Sequence, residues 1–416
     1  MQRRYRWRIL GLIGGIALTI LALRWYHQGL SAAAPQDITA FLQQYWRLPI
    51  PPQGKPPQHF SLTEASLHPQ DCGLCHPQQY QDWQQSQHSR SMGPGVYGQM
   101  LAMEQSDPAS YTVCTTCHAP LSEQLPRLEQ GDTSSPNATF DARLRQAGLV
   151  CAACHVRQHQ RFGPPRRPES RPPPVGAVLP HDGFTETVAF QRAEFCKSCH
   201  QFKPDDFALN GKLIENTYVE WLQSPYAQEG VQCQHCHMPE RRHLWRGIHD
   251  PDMVRQAMTV TITPEHPSYT PGSLMPVVIT VTNSGAGHYF PTYVTPKIFV
   301  QAHLLDSQGE TLAGSMQETV IGREVTLDLS QEEYDTRIPP KASHAFTYSQ
   351  AMPATAATLR VRVVVHPDHF YERFFPAVLP DHSGPERAHL EAALRVTAAS
   401  PFTAFERDIA LQRAGE

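Results

Sequence analysis

Ten cysteines carry most of the chemistry that this sequence offers, and they fall without remainder into five Cys-x-x-Cys-His motifs. Two cysteines one helical turn apart can both form thioethers to one porphyrin, and the adjacent histidine then presents its imidazole to the iron. The spacing therefore predicts five covalently attached haem c groups with their iron. The cysteines are Cys72, Cys75, Cys114, Cys117, Cys151, Cys154, Cys196, Cys199, Cys233 and Cys236, and the proximal histidines are His76, His118, His155, His200 and His237.

Paired cysteines also occur in zinc knuckles, in redox-active Cys-x-x-Cys sites and in the disulfides of exported proteins. Zinc would not require a histidine after every second cysteine. A disulfide framework would not hold all five pairs to the same two-residue gap. The repetition of one complete motif therefore favours haem over these alternatives.

Each haem iron has a sixth position that a second histidine can fill. His181, His243 and His249 lie in Gly-, Pro- and Asp-rich stretches, where the backbone can bring an imidazole to a porphyrin face. A helix that continues from His76 places His88 about 18 Å away, so His88 is expected to serve a neighbouring haem rather than its own. The predicted distal ligands are His88, His181, His243, His249 and His288.

A Tyr-x-acid-Trp-x-Gln-Ser frame occurs twice, as YQDWQQSQH at residues 80–88 and as YVEWLQSPY at residues 218–226. The duplication indicates one helix used twice to pack between haems through its aromatic side chains. The last position changes from His88 to Tyr226. Either Tyr226 is a packing residue and its haem takes a ligand from elsewhere, or one iron is five-coordinate or carries a weak tyrosine oxygen.

Residues 61–254 resemble the multihaem cytochromes of the group that contains hydroxylamine oxidoreductase and its tetrahaem cytochrome c partner. The stretches that carry the resemblance include CGLCHPQQYQDWQQSQHS, CAACHVRQHQRFGPP and YVEWLQSPYAQEGVQCQHCHMPERRHLWRGIHDPDM. In that group a Trp-x-x-Ser-x-His after a haem motif commonly supplies the distal ligand of another haem, which supports His88. The Cys-x-x-Cys-Lys motif of cytochrome c nitrite reductases is absent from the sequence, and this argues against that activity.

The fold class that we predict is a multihaem cytochrome c fold of short helices and loops, followed by an all-β immunoglobulin-like sandwich and preceded by a membrane helix. After residue 256, stretches such as PVVITVT and TLRVRVVVH alternate apolar and polar residues between turn signals, as strands of a sandwich do. The predicted domains are a signal anchor or transmembrane helix at 1–30, a proline-rich linker at 31–70, a pentahaem cytochrome c domain at 71–256, the β-sandwich at 257–378, and a C-terminal docking helix and tail at 379–416.

The N-terminus indicates export, because four arginines precede an uncharged apolar run from Ile9 to Leu23. We expect an uncleaved anchor that holds the protein on the periplasmic side of the cytoplasmic membrane. The alternative is cleavage near the small residues at 31–34, which would release the protein into the periplasm or outside the cell. Charged residues make up 18% of the chain and the formal net charge is -4, so no nucleic-acid partner is expected.

Three functions remain open. The first is an electron carrier that relays electrons between a quinol-linked donor and another redox protein, such as a further cytochrome. The second is a haem oxidoreductase that acts on a small nitrogen or oxygen species at one open iron. The third is a subunit of a larger membrane or extracellular redox complex, or of a homo-oligomer. Mostly bis-histidine ligation would give lower potentials than Met/His ligation, and we favour the carrier over the enzyme.

Overall fold

The computed structural model describes residues 37–130, 133–174 and 176–414. The chain divides into two compact units, Met1–Gln44 and Tyr45–Glu416. The predicted anchor at 1–30 lies outside the described residues. Within the residues that are described, no helix combines the length and the apolar character that a membrane span requires.

The part of the second unit that holds the cysteine motifs, residues 45–257 (the motif segment), consists of short helices and small hairpins. Proline begins many of the helices, because its missing N–H would be unpaired in the first turn anyway. Asp107 and Asp250 cap two of them by accepting from the Ser110 and Met253 N–H groups. The helices up to residue 257 are α1 (Ile38–Tyr45), α2 (Leu62–Ala65), α3 (Pro69–Gly73), α4 (Pro77–Gln85), α5 (Pro94–Ser106), α6 (Pro108–His118), α7 (Ala142–Gln146), α8 (Cys151–His155), α9 (Thr217–Leu222), α10 (Pro225–Gln228), α11 (Cys233–His237) and α12 (Pro251–Ala257).

The hairpins and turns of the motif segment are short. Its strands are β1 (Arg127–Gln130), β2 (Thr133–Pro136), β3 (Val156–Arg157), β4 (Gln160–Gly163), β5 (Thr185–Glu186), β6 (Ala208–Leu209) and β7 (Lys212–Leu213). Single 3-10 turns lie at His88–Arg90, Ser122–Gln124, Pro180–Asp182, Val188–Gln191, Ala193–Phe195 and Pro239–Arg241. Its buried apolar clusters are small, as expected of a segment that needs a cofactor to complete its interior.

The rest of the chain forms the predicted all-β sandwich. One antiparallel sheet has the order β11-β10-β15-β16 and the other has the order β14-β9-β8. Val361, Val363 and Val365 of β15 are fully buried while the residues between them are half-exposed, and they pack against Val277 and Ile279 of the facing sheet. The strands are β8 (Met258–Pro264), β9 (Leu274–Asn283), β10 (Lys297–Asp306), β11 (Gln317–Ile321), β12 (Arg323–Val325), β13 (Glu332–Asp335), β14 (Ser343–Ala351), β15 (Ala356–His366) and β16 (Phe402–Ala410).

The C-terminal segment differs from its prediction in one respect. The helix expected after Ser383 is present as α14 (Gly384–Ala398), following α13 (His369–Val378) and a 3-10 turn at Leu379–Asp381. The stretch predicted as a tail then returns to the sheet, because β16 pairs antiparallel with β15. Its alternation is weak, with several charged residues on the strand, and the sequence pattern did not indicate it.

Helices α13 and α14 pack against α5 of the motif segment, and two glycines of α5 allow the close approach. A Cβ atom at Gly95 would lie 2.7 Å from Cζ of Phe375, and one at Gly98 would lie 3.1 Å from Cβ of His389. The sandwich therefore contacts the motif segment beside α6, the helix that carries the second motif.

A buried ionic interface joins the sandwich to hairpin β6–β7 as well. The guanidinium of Arg323, which is fully buried, donates to the backbone carbonyls of Leu209, Lys212 and Leu213. It is paired with Glu332, whose carboxylate also accepts from Lys212. The sandwich is thus bound to the motif segment by hydrogen bonds that only a buried arginine with several donors can make.

Candidate functional site

Three of the five proximal histidines lie opposite a second imidazole. The ring centroids of His200 and His88 are 6.3 Å apart, those of His155 and His243 are 6.1 Å apart, and those of His237 and His288 are 6.2 Å apart. Two imidazoles bound to one metal at about 2.0–2.1 Å each place their centroids about 6 Å apart. Three pairs therefore have the spacing of axial ligands on a shared iron.

In six of the candidate ligand histidines, a hydrogen bond to Nδ1 leaves Nε2 as the available nitrogen. Nδ1 of a proximal histidine bonds to a backbone carbonyl at 2.6–2.8 Å in each of three cases: His118 to Ser91, His155 to Phe162 and His237 to Arg246. A carbonyl can only accept, so Nδ1 carries the proton and Nε2 holds a free lone pair. This is the arrangement that orients metal-binding histidines in general. The same bond is made by His181 to Gly183, His243 to Arg241 and His288 to Tyr289.

Burial favours the neutral form of six of the candidate ligand histidines. It lowers the pKa of His88 to about 3, and the pKa of His155 and of His288 to about 4. Burial likewise lowers the pKa of His118, His237 and His243. Neutral imidazole is the form that binds a metal, so these side chains are in the required protonation state at neutral pH.

His181 lies close enough to His76 for the two imidazoles to interact. Burial lowers the pKa of His76, and His181 lowers it further. His181 has a φ of 42°, a conformation that costs free energy in a residue with a side chain. Its N–H donates to Glu64 and its Nδ1 bonds to Gly183, at 2.8 Å each. These two bonds fix the imidazole in place.

His118 and His249 have different surroundings. Among the residues that the structure describes, no imidazole lies opposite His118 at the spacing of the three pairs. His249 has its Nε2 3.0 Å from the Asp368 carboxylate. The structure thus does not bring His249 opposite a proximal imidazole, and its role as a ligand stays a prediction. Tyr371, which is buried near the second motif, has its pKa raised by burial, then by Asp368 and Cys114.

Other histidines of the motif segment use the nitrogen that an iron would need. Nε2 is bonded to Asp182 in His59, to Asp141 in His68 and to the Gly54 carbonyl in His159. His235 accepts from the Gln232 N–H with its Nδ1. Nε2 is thus already bonded in three of these four side chains, whereas the facing histidines His155, His237, His243 and His288 bond through Nδ1.

Over the described ranges of the chain, no contact joins Tyr226 to a proximal histidine. Its hydroxyl donates to the Ser284 carbonyl at 2.8 Å and accepts from Nζ of Lys341 at 2.6 Å. The ammonium of Lys341 lies over its ring, 4.3 Å from the centroid. Tyr226 therefore secures the sandwich loop that carries His288, and this favours the packing interpretation of the replaced histidine.

The surroundings of the motifs fit covalently bound haem. The ten cysteines are free thiols, so no disulfide uses them. Nη2 of Arg157 is buried without a hydrogen-bond partner in the described part of the chain, while its Nη1 bonds to the carbonyls of Ala153 and Val156. An unpaired guanidinium N–H beside the third motif is suited to a haem propionate.

The acids of the duplicated frame, Asp82 and Glu220, were noted in the sequence without a role. Both are only 4% exposed. Each binds the backbone beside a distal histidine: Asp82 accepts from the His243 N–H and Glu220 accepts from the Tyr289 N–H. The signal available in the sequence was the recurrence of an acid directly before the tryptophan in both copies.

Comparisons with known proteins agree with this geometry. The family model described as cytochrome c554 and c-prime matches residues 71–156. The solved structure of a penta-heme cytochrome c552 from Thermochromatium tepidum is similar, with a TM-score of 0.58 at 15% identity over 82% of this chain and 97% of that chain. The structural genomics target SoR45 covers 38% of this chain at 12% identity, with a TM-score of only 0.20. A comparison with curated proteins finds no match.

These findings support a multihaem c-type cytochrome, with a cytochrome-like fold followed by an all-β sandwich region. Haem c and its iron are the cofactor that the matched family and the motifs have in common. The finer resemblance to the group of hydroxylamine oxidoreductase, and the immunoglobulin-like type of the sandwich, stay predictions.

Proposed function

We propose that this protein is a pentahaem c-type cytochrome that relays electrons between a donor linked to quinol oxidation and another redox protein. Haem c supplies an iron that cycles between two oxidation states. The chain would hold four of the irons between two imidazoles each, and backbone carbonyls orient several of these rings. The axial pairs in this proposal are His76 with His181, His155 with His243, His200 with His88, and His237 with His288.

The observation that carries the proposal is the spacing of 6.1–6.3 Å in three imidazole pairs, each made of one proximal and one distal histidine. His366 and His369 of the sandwich are also 6.1 Å apart, but neither follows a cysteine pair, whereas each of the three pairs contains the histidine of a Cys-x-x-Cys-His motif. Two of the distal residues, His88 and His243, lie far in sequence from their partners, and His288 comes from the sandwich. Each haem would thus be bound by two distant parts of the chain, which fixes neighbouring haems relative to one another.

Export and membrane attachment are part of the proposal. Haem is attached to such motifs outside the cytoplasm, and the arginines before Ile9 are typical of an export signal. An N-terminal anchor would keep the cytochrome at the periplasmic face, where a quinol-linked donor could reach it. Membership of a larger redox complex, or assembly with further copies, is compatible with this arrangement.

Two measurements on mature protein test the proposal. Mass spectrometry should find the mass of the processed polypeptide plus five haems. Electron paramagnetic resonance of the oxidised protein should show at least four low-spin irons, because bis-histidine ligation gives a low-spin iron. Fewer than five haems, or a mostly high-spin spectrum, would contradict it.

The second candidate function, a haem oxidoreductase acting on a small nitrogen or oxygen species, is favoured by the surroundings of His118. In the described part of the chain this proximal imidazole has no second imidazole opposite it. His249, Asp368 and Tyr371 lie together near the second motif, and the Asp368 side chain is only 17% exposed. Such groups could accept or donate a proton beside an open iron.

The spin state of the fifth iron decides between the two candidates. A high-spin signal that changes on addition of nitrite or cyanide would favour the oxidoreductase. Five low-spin irons would exclude it. If His249 supplies the missing ligand, His249→Gln should convert exactly one low-spin iron to high spin, whereas an open iron predicts no change in that variant.

A further inference from the structure

The two copies of the Tyr-x-acid-Trp frame make the same hydrogen bonds. The N–H of Tyr80 donates to the His76 carbonyl and the N–H of Tyr218 donates to the His200 carbonyl, at 3.1 Å each. The frame tyrosine therefore ties each copy to the proximal histidine that precedes it, the first motif in one copy and the fourth in the other.

The frame tryptophans bind a second motif in each copy. Nε1 of Trp83 donates to the carbonyl of Leu149, two residues before Cys151, at 2.8 Å. Nε1 of Trp221 donates to the carbonyl of Val231, two residues before Cys233, also at 2.8 Å. The first copy thus holds the start of the third motif and the second copy holds the start of the fifth.

Each frame acid binds the loop opposite the motif that the tryptophan of the same copy holds. Asp82 accepts from the His243 N–H at 2.9 Å and from the guanidinium of Arg242 at 2.7 and 2.8 Å. His243 is the imidazole opposite His155 of the third motif. Helix α4 thereby hydrogen-bonds to the backbone near both members of one imidazole pair, His155 and His243.

Glu220 makes the equivalent bonds in the second copy. It accepts from the Tyr289 N–H at 3.1 Å, from the Thr292 hydroxyl at 2.7 Å and from the guanidinium of Arg337 at 3.0 Å. Tyr289 follows His288, the imidazole opposite His237 of the fifth motif. The loop that carries His288 belongs to the sandwich. Glu220 nevertheless binds its backbone as Asp82 binds the backbone of the His243 loop.

We propose that Asp82 and Glu220 are positioning residues, each of which holds the distal histidine of one haem: His243 for the haem of the third motif and His288 for that of the fifth. The inference rests on the proposed function, since it needs iron between these imidazoles. A buried carboxylate with several donors fixes the loop backbone, and the tryptophan of the same helix fixes the opposite motif. The distance between the two imidazoles is set by one rigid element.

The last position of the frame has a different contact in each copy. In the first copy the last position, His88, faces His200, the proximal histidine of the fourth motif. The second copy precedes the fifth motif, whose His237 faces His288 rather than Tyr226. Its last position instead supports the His288 loop through Ser284.

The test uses mature, haem-loaded protein and counts high-spin irons by electron paramagnetic resonance. Asp82→Asn and Glu220→Gln should each give one high-spin iron more than the unmodified protein, with five haems retained, because thioether attachment does not need the distal histidine. The control Glu332→Gln neutralises a carboxylate whose side chain is 5% exposed and which contacts no histidine loop in the described residues, and it should leave the count unchanged.

Double variants assign each effect to one iron. Asp82→Asn combined with His243→Gln should add one high-spin iron, the same as His243→Gln alone, while Asp82→Asn with His288→Gln should add two. Glu220→Gln should show the reverse pattern. Additivity in the first combination, an unchanged spin count in the single variants, or loss of haem from them would overturn the positioning role. Unmodified protein without five haems would instead refute the proposed function.

Discussion

At the scale of single residues, the position of a hydrogen bond distinguishes several histidines that face a second imidazole from histidines that do not. His155, His237, His243 and His288 each bond to a carbonyl through Nδ1 and face a second imidazole. His159 bonds to a carbonyl through Nε2 and faces none in the described residues. The free nitrogen, rather than the presence of histidine, therefore indicates a ligand.

A distal histidine supplied by the sandwich should be required for one iron only. We expect His288→Gln to retain five haems and to convert a single iron from low to high spin, because glutamine does not replace imidazole as a strong-field ligand. The control is His159→Gln, which removes a buried histidine from the motif segment without touching an imidazole pair. Electron paramagnetic resonance of both variants checks this, and an unchanged spectrum for His288→Gln would contradict it.

His369 should make the sandwich less stable in mild acid. Burial lowers its pKa to about 4, with Lys297 and Arg373 adding to the effect and Glu324 opposing it, and its buried Nδ1 has no hydrogen-bond partner among the described residues. Because the folded pKa lies below the ordinary value of about 6.5, the unfolded chain binds a proton first as the pH falls. Stability should be unaffected above pH 6.5 and decline between pH 6.5 and pH 4.

We expect the free energy of unfolding to fall by about 1 kcal/mol over this pH range, after discounting for the partial exposure of the ring. His369→Gln should flatten the difference between thermal unfolding midpoints at pH 7 and pH 5, followed by circular dichroism. The neighbouring His366, paired with Glu372, provides the matched control His366→Gln. If the unfolding midpoint of His369→Gln fell between pH 7 and pH 5 as much as that of the unmodified protein, His369 would not be the cause of the decline.

At the scale of elements, hairpin β6–β7 and strand β12 form the ionic interface between motif segment and sandwich. Arg323 is the donor to three carbonyls of that hairpin, and Lys297 nearby donates to the carbonyls of Val294 and Arg323. Such an interface tolerates little change, since removing one partner leaves the others buried and unpaired.

Arg323→Met should therefore destabilise the protein by about 3–5 kcal/mol, a typical cost of leaving a buried charge such as Glu332 without its partner. Arg360→Met on β15 is the control: its pair with Asp408 lies at the surface, where such pairs contribute at most about 1 kcal/mol. Denaturant unfolding followed by circular dichroism measures both. Similar losses in the two variants would contradict the importance of the interface.

At the scale of the whole molecule, two kinds of interior lie in one chain. The sandwich has a continuous apolar core drawn from both sheets. The motif segment has small, separate apolar clusters and several buried imidazoles. Buried polar rings without a metal are costly, so the motif segment should depend on its haems for stability and the sandwich should not.

Protein made without haem attachment should accordingly lose most of its helical circular dichroism while it keeps a β-sheet signal. Limited proteolysis of that material should cut within residues 45–257 first and leave a fragment near residues 258–414. The haem-loaded protein under the same conditions is the control. A haem-free protein with the full helical signal and equal resistance would show that the side chains alone complete the interior.

The sequence by itself determined the haem chemistry and the class of fold, because both depend on local patterns. A Cys-x-x-Cys-His motif is complete within five consecutive residues, and the apolar–polar alternation of strands such as β9 and β15 can be recognised within each strand. The stretch VTLDL at residues 325–329 alternates in the same way and predicts a strand, but this prediction was wrong in part, because β12 ends at Val325 and the Asp328 side chain bonds to Ser330 in a turn.

Only the tertiary structure decided which imidazole faces which. His88 is 112 residues from His200 and His243 is 88 residues from His155, and no local pattern encodes such a distance. The roles of Asp82 and Glu220 emerged in the same way, since a carboxylate on a short helix acquires its function from the loop that folds against it. Ligand pairing is a property of long-range packing, whereas haem attachment is a property of five consecutive residues.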